Sequence, residues 1–292
     1  MRKIKWQGFW PKALLQLQGG VLMKKLLSLA LCIILLAVSL FGCGRGGNDD
    51  VVVIRIGATP RPHAELLNLI SPYLLEEGIR LEITEFTDFS APNPALANGS
   101  LEANFFQHIP FLENYIAQSG NTLHVVGAIH IEPMGAYSVS LDHIDELHYG
   151  ALVAIPDCAV NGPRALMLLE THNILTLNPD VGSRASIHDI TDNPLNLQFI
   201  QIAAALLPRV MLDQEADLSI INTNHVLSGA PGIDPVEDSL IMETTDSPYA
   251  NVLVVRPDDA DNPAILALLR HLQSERVRDY ILENYSGVVP VF

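Results

Sequence analysis

The chain has 292 residues, of which 49% are apolar and 17% are charged, so it is long enough to bury one large core or two smaller ones. All five lysines precede residue 26, and the part from Cys43 onward carries 11 arginines against 33 acids, a formal net charge of −22. This acidity excludes general nucleic-acid binding through phosphate contacts and a basic patch for a membrane surface. With cysteines only at Cys32, Cys43 and Cys158, the chain has neither a disulfide framework nor a cysteine zinc cluster.

Segment 23–42 is typical of a lipoprotein signal peptide. Two lysines precede the apolar stretch 26–40, which is shorter than the roughly 20 apolar residues that a membrane span needs. The stretch ends in Leu-Phe-Gly-Cys, which is similar to the lipobox of bacterial lipoproteins. We therefore expect a lipid on Cys43, which would hold the protein on a membrane face, and a flexible tether over 43–50.

The first 22 residues do not belong to that signal. A signal peptide begins near its positive charges, and such charges recur directly after Met23. We expect translation to start at Met23, which makes 1–22 a mis-assigned start.

After the tether, strand-like and helix-like segments alternate. Short β-rich runs predict strands over 51–56, 80–86, 123–128, 151–155, 197–200, 218–221 and 251–255. Apolar spacing of three and four predicts helices over 63–77, 163–173 and 263–285, with two helical pieces around Phe105 and Phe106 within 93–115. This alternation indicates an α/β protein with mostly parallel sheets, built as one doubly wound domain or as two lobes.

The usual catalytic and nucleotide-binding signatures are absent from the sequence. It contains no G-x-G-x-x-G after a strand, no P-loop, no G-x-S-x-G elbow and no H-E-x-x-H helix. None of the ten histidines has the helical spacing and acidic partners of a metal site, so we expect neither a metal nor a cofactor. An exported α/β protein without these signatures is predicted to be a binding protein rather than an enzyme.

The densest aromatic cluster is the stretch 104–111, Asn-Phe-Phe-Gln-His-Ile-Pro-Phe, which follows shortly after Phe89. One interpretation is ordinary core with a buried histidine. The other is a pocket wall in which Phe106 and Phe111 contact an apolar ligand group and His108 is the polar member.

Two further sets of polar residues stand at element ends. Asn161 precedes an apolar helix as a candidate N-cap, and Arg164 places a cation in the first turn, where it opposes the helix dipole. Such a cation is explained by a nearby carboxylate, either of a ligand or of the protein itself. Asn222 follows a strand, where it would accept from a ligand ammonium or simply serve a turn.

Several long stretches, in order, resemble the NlpA/MetQ family, the methionine-binding lipoproteins of bacterial ABC importers. The stretches are 57–63 (GATPRPH), 103–112 (ANFFQHIPFL), 130–135 (HIEPMG), 207–209 (LPR) and 246–251 (DSPYAN). The resemblance implies a type II periplasmic-binding-protein fold, with two α/β lobes and a ligand cleft between them. It places lobe 1 at 51–136 plus 250–292 and lobe 2 at 137–249.

The resemblance also implies roles for individual residues. Three phenylalanines would line the pocket for the methionine side chain, with a histidine beside them, an arginine on the α-carboxylate and three asparagines on the backbone polar groups. By motif match these are Phe89, Phe106 and Phe111, then His108, Arg164, Asn161, Asn222 and Asn251. The chain departs from the family pattern in the loop 157–163 and at Arg61, where the family favours glycine.

The expected function is capture of L- or D-methionine, or of a methionine-containing peptide, for an ABC permease and its ATPase at the extracytoplasmic face of the cell membrane. Alternatives are a binding lipoprotein for another small amino acid or peptide, a surface adhesin, and a lipid-anchored hydrolase that uses Ser247 or Cys158 with a histidine.

Overall fold

The computed structural model describes residues 51–292. The predicted start at Met23, the signal peptide 23–42, the lipid site Cys43 and the tether 43–50 lie outside the described residues. No helix described between residues 51 and 292 has the length and apolar character needed to cross a membrane.

The described part of the chain alternates strands and helices, as the sequence predicts. The strands are β1 (Val52–Ala58), β2 (Ile79–Glu85), β3 (Ala103–His108), β4 (His124–Ile131), β5 (Gly135–Tyr137), β6 (Leu152–Pro156), β7 (Thr176–Leu177), β8 (Ile190–Asp192), β9 (Gln198–Ile202), β10 (Leu218–Ile221), β11 (Ile241–Met242), β12 (Ala250–Val255) and β13 (Val289–Pro290). The α-helices are α1 (Glu65–Glu76), α2 (Pro92–Ala97), α3 (Ile109–Ser119), α4 (Asn161–Thr171), α5 (Leu207–Leu212), α6 (Thr223–Gly229), α7 (Pro263–Leu272) and α8 (Glu275–Asn284).

The strands form two main sheets. The first has the order β13-β4-β12-β3-β1-β2 and the second has the order β11-β5-β10-β6-β9, while β7 and β8 pair separately. The chain passes between the main sheets twice, from β4 to β5 and from β11 to β12. The predicted α/β class with two lobes is confirmed.

The expectation of mostly parallel sheets is wrong. Parallel pairing joins β1 to β2 and β3 in the first sheet, and β6 to β9 and β10 in the second. The other five pairings in these sheets are antiparallel, and all of them involve β5 or β12, the strands that follow the crossings, or β13. Parallel neighbours in one sheet are joined by a right-handed crossover connection. A strand that enters from the other sheet has no such connection, so it can pair antiparallel.

Each sheet is covered by helices whose apolar faces match the predicted periodicity. In α1 the buried side chains are Leu66, Leu67, Ile70 and Leu74, which pack in one cluster with residues of α7 and α8 against the first sheet. The helix α4 buries its apolar face against the second sheet in the same way. These two cores leave the carboxyl ends of several strands facing the region where the chain crosses between the sheets.

Two elements differ from the predictions. The two helical pieces expected around Phe105 and Phe106 are α2 and α3, but between them Ala103–His108 form strand β3, which is not predicted, and all six are buried. A short apolar run that is covered on both faces lacks the alternation that distinguishes a strand from a helix. The single helix expected over 263–285 is two helices, because Ser274 has an extended backbone (φ −87°, ψ 157°) and starts α8 as its N-cap.

Candidate ligand-binding site

One cavity collects residues of the first sheet, residues that follow strands of the second sheet, and Glu132 from the first crossing of the chain. Its lining residues are Phe89, Phe106, Gln107, His108, Phe111, Glu132, Asn161, Arg164, Asn222, Asn224 and Asn251. All eight of the predicted ligand-binding residues are among them. The structure therefore brings together side chains that are separated by up to 162 positions, but their contact with a ligand stays a prediction.

Three phenylalanines form an apolar wall of the cavity. The ring of Phe111 lies edge-on to Phe89 and to Phe106, with ring centroids 5.8 and 6.0 Å apart. Such edge-to-face pairs are a favourable arrangement of aromatic rings. Phe106 is 3% exposed and projects from β3, whereas Phe111 comes from the first turn of α3. The wall is thus held by a strand and by the helix that follows it.

His108 is neutral and uses both ring nitrogens within the protein. Its Nδ1 accepts from the backbone N–H of Phe111 (3.2 Å), which makes it the N-cap of α3, and its Nε2–H donates to Asn161 Oδ1 (3.1 Å). Burial lowers the pKa of His108 to about 3, and the nearby positive charge of Arg164 adds to the effect. Its hydrogen bond to Asn161 joins the first-sheet side of the cavity to the second-sheet side.

The start of α4 is packed tightly against the end of β6. A Cβ at Gly162 would lie 2.8 Å from the carbonyl oxygen of Pro156, so a larger residue would displace the helix. Asn161 is the first helical residue rather than the expected N-cap, because Val160 holds that position. The Asn161 amide is therefore directed to His108 instead of to the helix N–H groups.

Arg164 pairs with an acid of the protein, which is one of the two alternatives that the sequence leaves open, and its contact with a ligand carboxylate stays a prediction. Its Nε and Nη2 donate to the two carboxylate oxygens of Glu243 at 2.8 and 2.6 Å, and Nη2 also donates to the carbonyl oxygen of Glu132 at 2.9 Å. The guanidinium stacks on the Tyr249 ring, 3.9 Å from its centroid. Glu243 is held in turn by the N–H of Met134. The two-pronged edge of Arg164 is thus occupied by Glu243, and among the described residues Nη1 has no hydrogen-bond partner.

Asn251 and Asn222 present different groups to the cavity. The hydroxyl of Thr59 donates to Nδ1 of His63, whose Nε2–H donates to Asn251 Oδ1 (3.1 Å), so the NH₂ group of Asn251 stays available. Burial lowers the pKa of His63 to about 4, consistent with this neutral tautomer. The Oδ1 of Asn222 is buried without a partner in the described structure, so it offers an acceptor.

Glu132, the carboxylate that lines the cavity, is not among the residues predicted from the sequence. Its Oε1 accepts from His130 Nε2 at 2.6 Å and lies 3.5 Å from His63 Nε2, and its Oε2 accepts from the N–H of Asn224 at 3.1 Å. A signal was present, because His130 and Glu132 are two positions apart at a strand end and so share a face.

His63, His130 and Glu132 place three possible metal-ligand atoms within 4.8 Å of one another. The 2.6 Å between His130 Nε2 and Glu132 Oε1 is a hydrogen-bond distance. Two ligand atoms at about 2.0–2.1 Å from a tetrahedral zinc ion would be roughly 3.3 Å apart. The cluster is therefore arranged as a hydrogen-bonded network, and the absence of a metal from this protein stays a prediction.

Known proteins are similar to this chain in sequence and in fold. The sequence profile of the NlpA lipoprotein family matches residues 54–292. The chain is 34% identical to the methionine-binding lipoprotein MetQ of Bacillus subtilis over 271 residues, covering 91% of this chain and 98% of the relative. Among solved structures, it is similar to a nutrient-binding protein of Burkholderia cenocepacia bound to methionine, with TM-score 0.78, 34% identity and coverage of 82% of this chain and 100% of that one.

A periplasmic substrate-binding protein of an ABC transporter from Coxiella burnetii is also similar, with TM-score 0.76, 34% identity and coverage of 82% of this chain and 100% of that one. The family profile covers both sheets and every residue that lines the cavity. The resemblance of the sequence motifs is thereby confirmed, and the chain belongs to the NlpA lipoprotein family.

Proposed function

We propose that this protein captures methionine, as the L or D enantiomer or within a short peptide, and delivers it to an ABC importer. The observation that carries the proposal is one cavity that joins a wall of three phenylalanines to both donor and acceptor groups. An apolar side chain on a zwitterionic backbone needs this combination. Relatives that are named methionine-binding lipoproteins support the choice of ligand.

The donors suit an α-carboxylate. Arg164 contributes Nη1, and the amides of Asn161 and Asn251 contribute NH₂ groups, because the oxygen of each amide is already bonded to a histidine. A carboxylate between a guanidinium edge and two amides would be held by charge-assisted hydrogen bonds. In this arrangement Phe89, Phe106 and Phe111 would contact the methionine side chain.

The two lobes, 51–136 plus 250–292 and 137–249, would close on the ligand. The hydrogen bond between His108 and Asn161 links the two sides of the cavity, so the described conformation has the features of a closed form. Ligand that binds better to the closed form shifts the population toward it. The closed protein would dock on a permease and its ATPase, while a lipid on Cys43 keeps it at the extracytoplasmic face of the membrane.

We propose that the protein is not an enzyme. Ser247 Oγ accepts from the N–H of Tyr249 and Cys158 Sγ accepts from the N–H of Asn161. Within residues 51–292 neither atom is hydrogen-bonded to a histidine, so the hydrolase alternative has no activated nucleophile in this part of the chain. Substrate-binding proteins of ABC transporters, among which the chain has relatives, perform no chemistry.

Native mass spectrometry of the full chain, purified in detergent, tests the ligand. We expect a bound mass that corresponds to methionine, and calorimetric titration of the ligand-stripped protein with L-methionine, D-methionine, alanine and glycyl-methionine to rank a methionine compound first. A bound mass of another amino acid or peptide, together with no heat on methionine addition, would replace methionine by that ligand. Hydrolysis of any of these compounds would support the enzyme alternative.

A further inference from the structure

We propose that Glu132 binds the α-ammonium group of the ligand and makes the site selective for ligands with a free, charged amino group. The inference rests on the proposed function, because it presupposes an amino-acid ligand. It adds a residue to the eight that the sequence predicts, and it assigns the ammonium mainly to a carboxylate where the sequence suggests Asn222.

Glu132 is placed and oriented for this role. It is 7% exposed, lies on the crossing from β4 to β5, and is the only carboxylate among the described residues that line the cavity. His130 holds Oε1 and the N–H of Asn224 holds Oε2. A carboxylate has about four acceptor positions on its two oxygens, so these bonds fix the group and leave acceptor capacity for a ligand.

No arginine that lines the cavity balances the charge of Glu132. Arg164, the one arginine that lines the cavity, has its charge matched by Glu243, and it contacts the carbonyl oxygen of Glu132 rather than its carboxylate. His63 and His108 are neutral at pH 7, since burial lowers the pKa of each, to about 4 and about 3.

His130 holds the carboxylate of Glu132 in place. Its Nε2 donates to Glu132, and its Nδ1 is buried without a partner in the described structure. The cavity thus presents a buried carboxylate that no arginine of its lining pairs with, and a ligand that brings a cation would supply such a partner.

The ionised form of Glu132 is also favoured. Burial by itself would raise the pKa of Glu132, but the hydrogen bond from His130 and the positive charge of the more distant Arg164 act against it, and the pKa is lowered overall. The Oδ1 of Asn222 is a second possible acceptor, because it has no hydrogen-bond partner in the described structure. Asn222 is two positions from Asn224, whose N–H donates to Glu132. An ammonium group has three donors and would use both acceptors.

The alternative is a purely structural Glu132, which only holds His130 and the turn at Asn224. The two roles differ in how they respond to the ligand. A structural residue affects the binding of every ligand alike, whereas an ammonium-binding residue affects only ligands that carry the ammonium group.

The test is calorimetric titration of the full chain in detergent with methionine and with 4-(methylthio)butanoate, which lacks the amino group. We expect the wild type to prefer methionine by about 30-fold or more, the range for a desolvated charge pair. Glu132→Gln should lose about 30-fold or more in methionine affinity while its affinity for the desamino compound stays within about threefold. Glu113→Gln, an exposed glutamate of α3, is the control and should leave both affinities unchanged.

Equal losses for both compounds in Glu132→Gln, or an unchanged preference, would overturn the proposal. If Glu132→Gln fails to fold, Asn222→Ala tests the proposal instead. This variant should still prefer methionine over the desamino compound by about tenfold or more if Glu132 binds the ammonium group. Complete loss of the preference in Asn222→Ala would assign the ammonium to Asn222 alone. A wild type that does not bind methionine refutes the proposed function itself, whereas one that binds both compounds equally refutes only this inference.

Discussion

Arg164 and Glu243 are 79 positions apart in the chain and form a two-point ion pair in the wall of the cavity. Arg164 is 2% exposed and Glu243 keeps 14% of its side chain exposed, so the pair is shielded from water. The pair orients the guanidinium and leaves Nη1 for a ligand. Arg164 is therefore both a structural residue and a candidate binding residue, and substitutions must separate the two roles.

Arg164→Ala should destabilise the ligand-free protein as well as weaken methionine binding. The substitution leaves the carboxylate of Glu243 buried without its partner, which costs about 3 kcal/mol, at the lower end of the range for buried pairs because Glu243 is partly exposed. Urea unfolding monitored by circular dichroism measures the change. The double variant Arg164→Ala/Glu243→Gln should regain part of the loss, and an unfolding free energy of the single variant equal to that of the wild type would contradict a stabilising pair.

Phe106→Ala should reduce the preference of the site for methionine over alanine. The loss of this ring removes side-chain contact worth about 2 kcal/mol, or roughly 30-fold, from methionine binding. Alanine has no side chain to reach the wall, so its affinity should change little. Titrations with both amino acids measure the preference. Phe86→Ala, which lies outside the cavity, serves as the control, and an equal loss for methionine and alanine would argue against the phenylalanine wall as the side-chain site.

Stability should fall as the pH drops from 6.5 to about 4. Burial lowers the pKa of His63 and His225 to about 4 and that of His108 to about 3, whereas in the unfolded chain each titrates near 6.5. Between these values the unfolded chain binds more protons, so the free energy of unfolding rises with pH by about 1.4 kcal/mol per pH unit for each histidine.

Urea unfolding at pH 7.5, 6.0 and 5.0 measures this slope. Between pH 6.0 and 5.0 we expect a slope close to that of three protons, and His225→Gln should remove about one proton from it. A free energy of unfolding that is flat across this range would mean that the three imidazoles are already protonated in the folded protein.

Chelator treatment should leave methionine affinity unchanged. The cluster of His63, His130 and Glu132 is joined by a direct hydrogen bond of 2.6 Å, which is too short for both atoms to bind one metal ion. Titration before and after dialysis against EDTA tests this. A loss of methionine binding that added zinc restores would mean that these three residues form a metal site.

Cys43→Ser should move the protein from the membrane to the soluble fraction. The residue lies outside the described part of the chain, so the prediction comes from the lipobox alone. Acyl chains anchor by burying methylene groups, about 0.8 kcal/mol each, and the serine cannot carry them. Fractionation of cells that express each form measures the distribution. Retention of the serine variant on the membrane would identify the apolar stretch 26–40 as the anchor.

Much of the site follows from local sequence. Asn222 stands after an apolar run, Arg164 opposes a helix dipole, and Phe106 and Phe111 belong to a dense aromatic motif; all eight predicted residues line one cavity. These signals are readable because caps, dipoles and periodicity act within a few residues. The same local reasoning predicts the helices on either side of β3 but not β3 itself, since a short run that is buried on both faces has no distinguishing period.

The sequence by itself determined the α/β class, the family and eight of the eleven residues that line the cavity, but not Glu132. The tertiary structure alone decided the partners of two predicted residues: Glu243 for Arg164 and Asn161 for His108. The pair of His108 and Asn161 joins residues on opposite sides of a chain crossing, so the crossings help to set which side chains meet. Whether Arg164 faces a ligand or an acid of the protein depends on that long-range geometry, because a guanidinium pairs with any carboxylate that is brought within reach.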